Sequence, residues 1–227
     1  MIKYLGSKRT LIPVLTQLGK ASGAKTALDL FTGTTRVAQA FKKLGMNVTA
    51  SDVASYAECF GKTWIELDGA SANNKELAQA LAELESLPGD AGYFTQKFCV
   101  EARYFQPKNG ERVDAIRARI EADYRDSWMY YPLLTSLILG ADRVDSTTGI
   151  QMAFLKGWAN KALITQAKAT MTIDHCQWMA NMREGTMAPA IMAPTGTPVC
   201  LIEKTRPICS GGVVRAKICE LAGVIGP

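Results

Sequence analysis

Along the first 70 residues the hydrophobic positions switch between a helical period of about 3.6 and short continuous runs, the change that separates helices from buried strands. Leu11, Ile12, Leu15 and Leu18 share one face of a helix expected over 8–20, with Ser7 as its N-cap. Thr26 to Phe31 is mostly apolar and runs into Thr32-Gly33-Thr34-Thr35, a pattern that predicts a buried strand and a tight turn. Val37, Ala40, Phe41 and Leu44 then restore helical spacing, and Gly45 stops that helix. Asn47 to Ser51 predicts a second strand with Asp52 at its carboxyl end, and 54–67 reads as helix again. This β-α-β order is the seed of a parallel sheet in an α/β fold.

After Asp68 helices follow one another without strands. Leu77, Leu81 and Leu84 align in a helix over 76–87 that stops at Pro88-Gly89-Asp90. Val113, Ile116, Ile120 and Tyr124 face inward from a charged helix over 111–124, and the helix expected over 127–144 is apolar on most sides. A helical lobe inserted after the second strand accounts for this order. No internal repeat is visible.

Composition divides the chain. Residues 1–162 hold 17 of the 18 aromatics and 37 of the 47 charged residues, whereas 163–227 hold one aromatic, Trp178, with four of six cysteines and five of nine methionines. The first part therefore reads as a packed domain and the second as an atypical, irregular tail. The net charge of +5 permits contact with a polyanion without demanding one. Charges interrupt every apolar stretch, so no membrane span is expected, and the start, Met1 to Gly6, lacks a leader's apolar run. A cytoplasmic address is the expectation. The cysteines show no Cys-x-x-Cys spacing, and His175 is the one histidine, so neither a metal site nor a disulfide framework is expected.

An acid closing each of two successive parallel strands, with a glycine turn after the first, is a geometry by which a Rossmann-like unit holds a nucleoside. Asp29, Gly33 and Asp52 fill those positions. A full Gly-x-Gly-x-x-Gly is missing, which argues against a bound pyrophosphate. The plainer alternative is that both acids cap local turns and helices.

Three segments together resemble the Dam-like DNA adenine methyltransferases: Lys3-Tyr4-Leu5-Gly6-Ser7-Lys8, then Asp29-Leu30-Phe31-Thr32-Gly33-Thr34, then Val48-Thr49-Ala50-Ser51-Asp52. The likeness runs to about Lys161. It implies a Rossmann-like S-adenosylmethionine-dependent methyltransferase sheet with an inserted helical recognition lobe. Tyr4, Lys8, Asp29, Phe31 and Gly33 would line the cofactor pocket, and Asp52 would bind the ribose. Double-stranded DNA would be the partner, with Arg143, Ser146, Thr147 and Lys156 as contacts from the lobe, while Arg117 and Arg119, alternating with acids, read as a solvated face. On this reading 1–68 is the cofactor half, 69–160 the recognition insert, and 161–227 the place of the catalytic half.

The resemblance also implies an Asp-Pro-Pro-Tyr tetrapeptide that orients the adenine amine and stacks on the flipped base. The sequence contains none. No catalytic residue is therefore assigned, methyl transfer by this chain is expected to be impaired, and a shifted reading frame near Lys161 to Leu163 is one explanation of the tail. A silent binding protein and a methyltransferase acting on RNA remain the alternatives.

Overall fold

The computed structural model describes residues 8–69, 72–148, 155, 157–163 and 190–192. A 3-10 turn, Lys8–Leu11, leads into α1 (Ile12–Ser22), which Gly23 ends in the left-handed conformation (φ 65°). β1 (Thr26–Asp29), α2 (Arg36–Lys43) and β2 (Asn47–Ala50) form the expected β-α-β unit. β1 and β2 pair in parallel with Thr26 opposite Asn47 and Asp29 opposite Ala50. β3 (Ala190–Met192) adds to the other side of β2, also in parallel, so the described strands run in the order β1-β2-β3. That strand lies inside the segment expected to be irregular.

α3 (Ser55–Gly61) continues as a π-helical segment, Lys62–Glu66. α4 (Asn74–Ser86) starts at Asn73, whose side chain accepts from the amides of Lys75 (3.2 Å) and Glu76 (3.3 Å), the capping that the first turn of a helix needs. A second π-helical segment, Thr95–Glu101, precedes α5 (Pro107–Tyr124), α6 (Tyr130–Val144) and the short α7 (Asn160–Leu163). The 95–101 segment is absent from the sequence expectations. It is wound too widely for the 3.6 period, yet it buries Phe98 and Cys99.

Two cores result. The larger joins α3, α4, α5 and α6 through Phe60, Leu77, Leu84, Ile116, Ile120 and Leu137, all fully buried. Phe60 stacks on Trp64 with centroids 4.7 Å apart and planes 15° from parallel, and Phe94 meets Phe98 and Phe105 at 4.8 and 5.0 Å. Every residue of α6 from Pro132 to Ala141 is buried, as a helix apolar on most sides requires. The smaller core, Ala38, Met46, Val48, Ala50 and Ile65, fills the space between the sheet, α2 and the first π-helical segment.

The apolar face of α1 is not covered by the rest of the fold. Its apolar residues do not form a buried stripe: Leu11, Val14 and Leu18 are exposed, and no residue of α1 is buried. The helix contacts α2 edge-on through Gly19, whose missing side chain makes room for Phe41, Leu44 and Met46. Leu28 and Phe31 of the β1 region are exposed as well, so this strand is not the doubly covered one its apolar run predicts. Among the described residues no helix is long and apolar enough to cross a membrane.

Candidate functional site

Two carboxylates organise the turn at the carboxyl ends of β1 and β2. Asp29 is 7% exposed, and its Oδ2 accepts from Thr32 Oγ1 (2.9 Å) and from the Ala38 amide in the first turn of α2 (3.2 Å). Lys8 donates to the Phe31 carbonyl at 2.8 Å and lies 3.6 Å from Asp29 Oδ1. The 3-10 turn before α1 is thereby tied to the turn after β1. Asp52 accepts from the Gly33 amide through Oδ2 (2.8 Å) and from the Ala54 amide through Oδ1 (3.0 Å). It bridges the first turn and the residue that precedes α3, Ala54, without itself capping that helix. A carboxylate has about four acceptor positions, so Asp52, half-buried, retains acceptor capacity beyond these two amides.

The turn is held in an unusual backbone shape. Gly33 takes φ 54°, which costs a glycine nothing, but Thr35 takes φ 58°. For a β-branched residue the left-handed region costs roughly 1–2 kcal/mol. Three bonds hold it there: its amide to the Thr32 carbonyl (2.8 Å), its hydroxyl to the Thr34 carbonyl (2.8 Å), and Gln39 Nε2 to its hydroxyl (2.7 Å). Thr35 stands where the resembling family often has its second glycine, and this network is what replaces the missing freedom. Strain of this kind is found where structure serves a ligand site. Phe31, between the two turns, is 72% exposed and Gly33 is buried. Tyr4 lies outside the described residues.

The expected DNA contacts cluster at the end of α6. Arg143 is half-exposed in its last turn. Ser146 is buried: its amide donates to the Tyr104 carbonyl (2.7 Å) and its hydroxyl accepts from the Ala159 amide (3.0 Å). Thr147 bonds to Asp145, which Lys161 also engages. These bonds pin the loop to the two neighbouring segments, so it is presented rigidly. Arg103, exposed and also at positive φ (53°), sits 5.8 Å from the Trp158 ring centre. Lys156 lies outside the described residues.

Of the two helix cations expected on a solvated face, Arg119 is exposed whereas Arg117 is largely covered. Arg117 pairs with Glu121 (2.6 Å) and Arg119 with Asp123 (3.0 Å) at i,i+4. Among the described residues no cluster of His, Cys, Asp and Glu is arranged to hold a metal ion. Cys59 is buried, and burial pushes its thiol up to about 12, which keeps it protonated and unreactive.

The chain matches the family model of the D12 class N6 adenine-specific DNA methyltransferases over residues 4–182. It belongs to that family. The match extends past Lys161, to which the motif resemblance runs, and covers both carboxylate turns and the whole helical lobe. The type II methyltransferase M.NlaIII of Neisseria lactamica is 34% identical in an alignment of 175 positions that covers 71% of this chain and 52% of that protein. The modification methylase StsI of Streptococcus sanguinis is 31% identical over 71% of this chain, and LlaI of Lactococcus lactis subsp. lactis is 30% identical over 71%. The chain spans about half the length of the first and about a quarter of the other two, 27% and 28%. No solved structure matches it significantly.

One signal in the sequence points to further residues. Counted over folded units rather than along the chain, the charge is segregated: residues 8–43 carry Lys8, Arg9, Lys20, Lys25, Arg36, Lys42 and Lys43 against Asp29 alone, a net +6. Residues 69–148, the helical lobe, carry 9 basic and 12 acidic residues. The positive charge is therefore concentrated over 8–43, from the turn before α1 to the end of α2, and not in the lobe.

Proposed function

We propose that this chain forms the cofactor half and DNA-contacting lobe of an enzyme that methylates the exocyclic amine of adenine in duplex DNA, with S-adenosylmethionine as donor. The observation that carries the reading is Asp52. It closes β2, reaches across to the Gly33 amide of the turn after β1, and keeps acceptor positions for a pair of ribose hydroxyls. Lys8, 38% exposed at its side chain, supplies a cation at the mouth of the same turn for a carboxylate. Asp29 shapes the turn from below through Thr32 and Ala38. One carboxylate acceptor and one ammonium at this turn suit a small ligand bearing a ribose and a carboxylate. The fold expected with this reading is the Rossmann-like methyltransferase sheet, of which β1-α2-β2 is the first unit.

S-adenosylmethionine would supply an electrophilic methyl group on a sulfonium. An adenine amine held in line with that group would accept the methyl through its nitrogen lone pair and release one proton to solvent, leaving a neutral thioether. Orienting that amine is the task of the Asp-Pro-Pro-Tyr motif of the resembling family, and this sequence lacks it. The same proposal therefore includes impaired transfer by this chain, and 161–227 as a frame-shifted or truncated catalytic half. The nucleotide sequence after codon 160, read in all frames, tests the latter, and absence of such a motif from every frame overturns it.

Isothermal titration of the full chain with S-adenosylmethionine tests the cofactor reading. Asp52→Ala removes an acceptor of two charge-assisted bonds, each worth about 1.5–3 kcal/mol, so affinity falls by at least roughly tenfold. A folded wild type that takes no cofactor refutes the reading. Radiolabel transfer to duplex DNA against RNA separates the two substrate classes.

A further inference from the structure

Between α1 and α2 lies a groove of about 420 Å³. Arg9, Arg36 and Lys43 stand on its walls, Ile12, Pro13 and Leu44 contribute its apolar floor, and no carboxylate or aromatic residue lines it among the described residues. Its position is set by the cofactor turn. Arg36 opens α2 immediately after Thr35, and Arg9 follows Lys8, which is bonded to Phe31. The groove also sits in the part of the chain that carries the +6 charge.

We propose that this groove is a phosphodiester-binding site that seats the backbone of duplex DNA beside the cofactor turn. The proposal deepens the DNA reading above and rests on it. Two guanidinium groups and an ammonium around one concavity match phosphate oxygens, arginine by its planar fork and lysine as a point charge. The alkyl floor suits the face of a deoxyribose. The lining has no ring on which a base could stack, so the groove takes the backbone, independently of sequence. The helical lobe, net acidic over 69–148, then supplies base contacts from pinned loops while the segment 8–43 supplies the bulk electrostatic attraction.

Fluorescence anisotropy of a labelled 20-base-pair duplex of arbitrary sequence (about 20, long enough for several phosphate contacts), titrated with the full chain between 50 and 200 mM salt, tests it. Each lost phosphate contact lowers the slope of log affinity against log salt by about 0.9, so the triple variant Arg9→Ala, Arg36→Ala, Lys43→Ala loses about 2–3 in slope. Over that salt range the wild type weakens by roughly 15–40-fold more than the variant does. The charge-keeping variant Arg9→Lys, Arg36→Lys, Lys43→Arg restores the slope, which separates charge from packing. Removing Lys75, Lys97 and Lys108 from the lobe leaves most of it in place. Equal slopes in wild type and triple variant, with circular dichroism unchanged, overturn the groove, as does a wild type that takes cofactor but no duplex. A chain that binds duplex through these three cations but takes no S-adenosylmethionine sustains the groove and overturns the cofactor reading alone.

Discussion

Gly110→Ala probes how the helical lobe is held together. Gly110 lies in the first turns of α5, where alanine is the better helix former by about 1 kcal/mol. Propensity alone therefore predicts stabilisation. The packing reverses the sign. A Cβ at this position falls closer than 3.0 Å to Cys99 Sγ, 3.1 Å from Thr95 Oγ1 and 3.2 Å from Thr95 Cα. None of these atoms can yield cheaply. Cys99 is buried, and the Thr95 amide and hydroxyl are bonded to Asp114 of α5 at 2.8 and 2.7 Å. Overpacking costs about 1–3 kcal/mol, and contact with a backbone Cα and a buried sulfur places this site near the top of that range. The net expectation is a loss of about 2 kcal/mol, which for a domain of this size lowers Tm by about 4–8 °C. Thermal and urea unfolding followed by circular dichroism measure it. Cys99→Ala removes the sulfur but not Thr95, so in that background the Gly110→Ala penalty shrinks by about 1 kcal/mol and does not vanish. A Gly110→Ala variant as stable as wild type, or an equal penalty in both backgrounds, refutes the reasoning.

Two further outcomes follow from the lobe and the sheet. Asp114 accepts from the amides of Gly92 (2.9 Å), Phe94 (3.0 Å) and Thr95 (2.8 Å) as well as the Thr95 hydroxyl. Asp114→Ala leaves those donors without their acceptor and costs about 2–4 kcal/mol, read from urea midpoints, while Asp114→Asn keeps one acceptor oxygen and costs less. Lys42 is buried with its ammonium on the Ile65 carbonyl, and burial lowers its pKa from the usual 10.5 against the opposing pull of Asp68. The unfolded chain then binds this proton more tightly than the folded one, so the Lys42 contribution to stability rises with pH from the lowered folded value up to 10.5 and is flat above it. Lys42→Met removes that rise, and parallel stability curves for wild type and variant across the alkaline range count against it.

The β-α-β order, both acids and the three helices of the lobe are legible in the sequence because local patterns determine them. Leu77, Leu81 and Leu84 repeat at the helical period whatever they pack against, and they are buried. The π-helical segment 95–101 is not legible, because its geometry follows from bonds that Asp114 supplies from a different helix. The basic groove was within reach, but its three cations lie 27 and 7 residues apart along the chain and only the packing of α1 on α2 makes them neighbours. A charge count by folded unit, rather than a search for runs, is the signal that finds it.

By itself, then, the sequence determined which segments could be strands or helices, where the two carboxylates fall, and, through three ordered motifs, the family. Tertiary structure decided what those residues do. Asp52 reaches the Gly33 amide only because β1 and β2 pair in parallel and in register, and Thr35 is held in a left-handed backbone by bonds to Thr32, Thr34 and Gln39. The exposed apolar face of α1 makes the same point from the other side. Amphipathic spacing is a property of one segment, whereas burial depends on what the rest of the fold places opposite it.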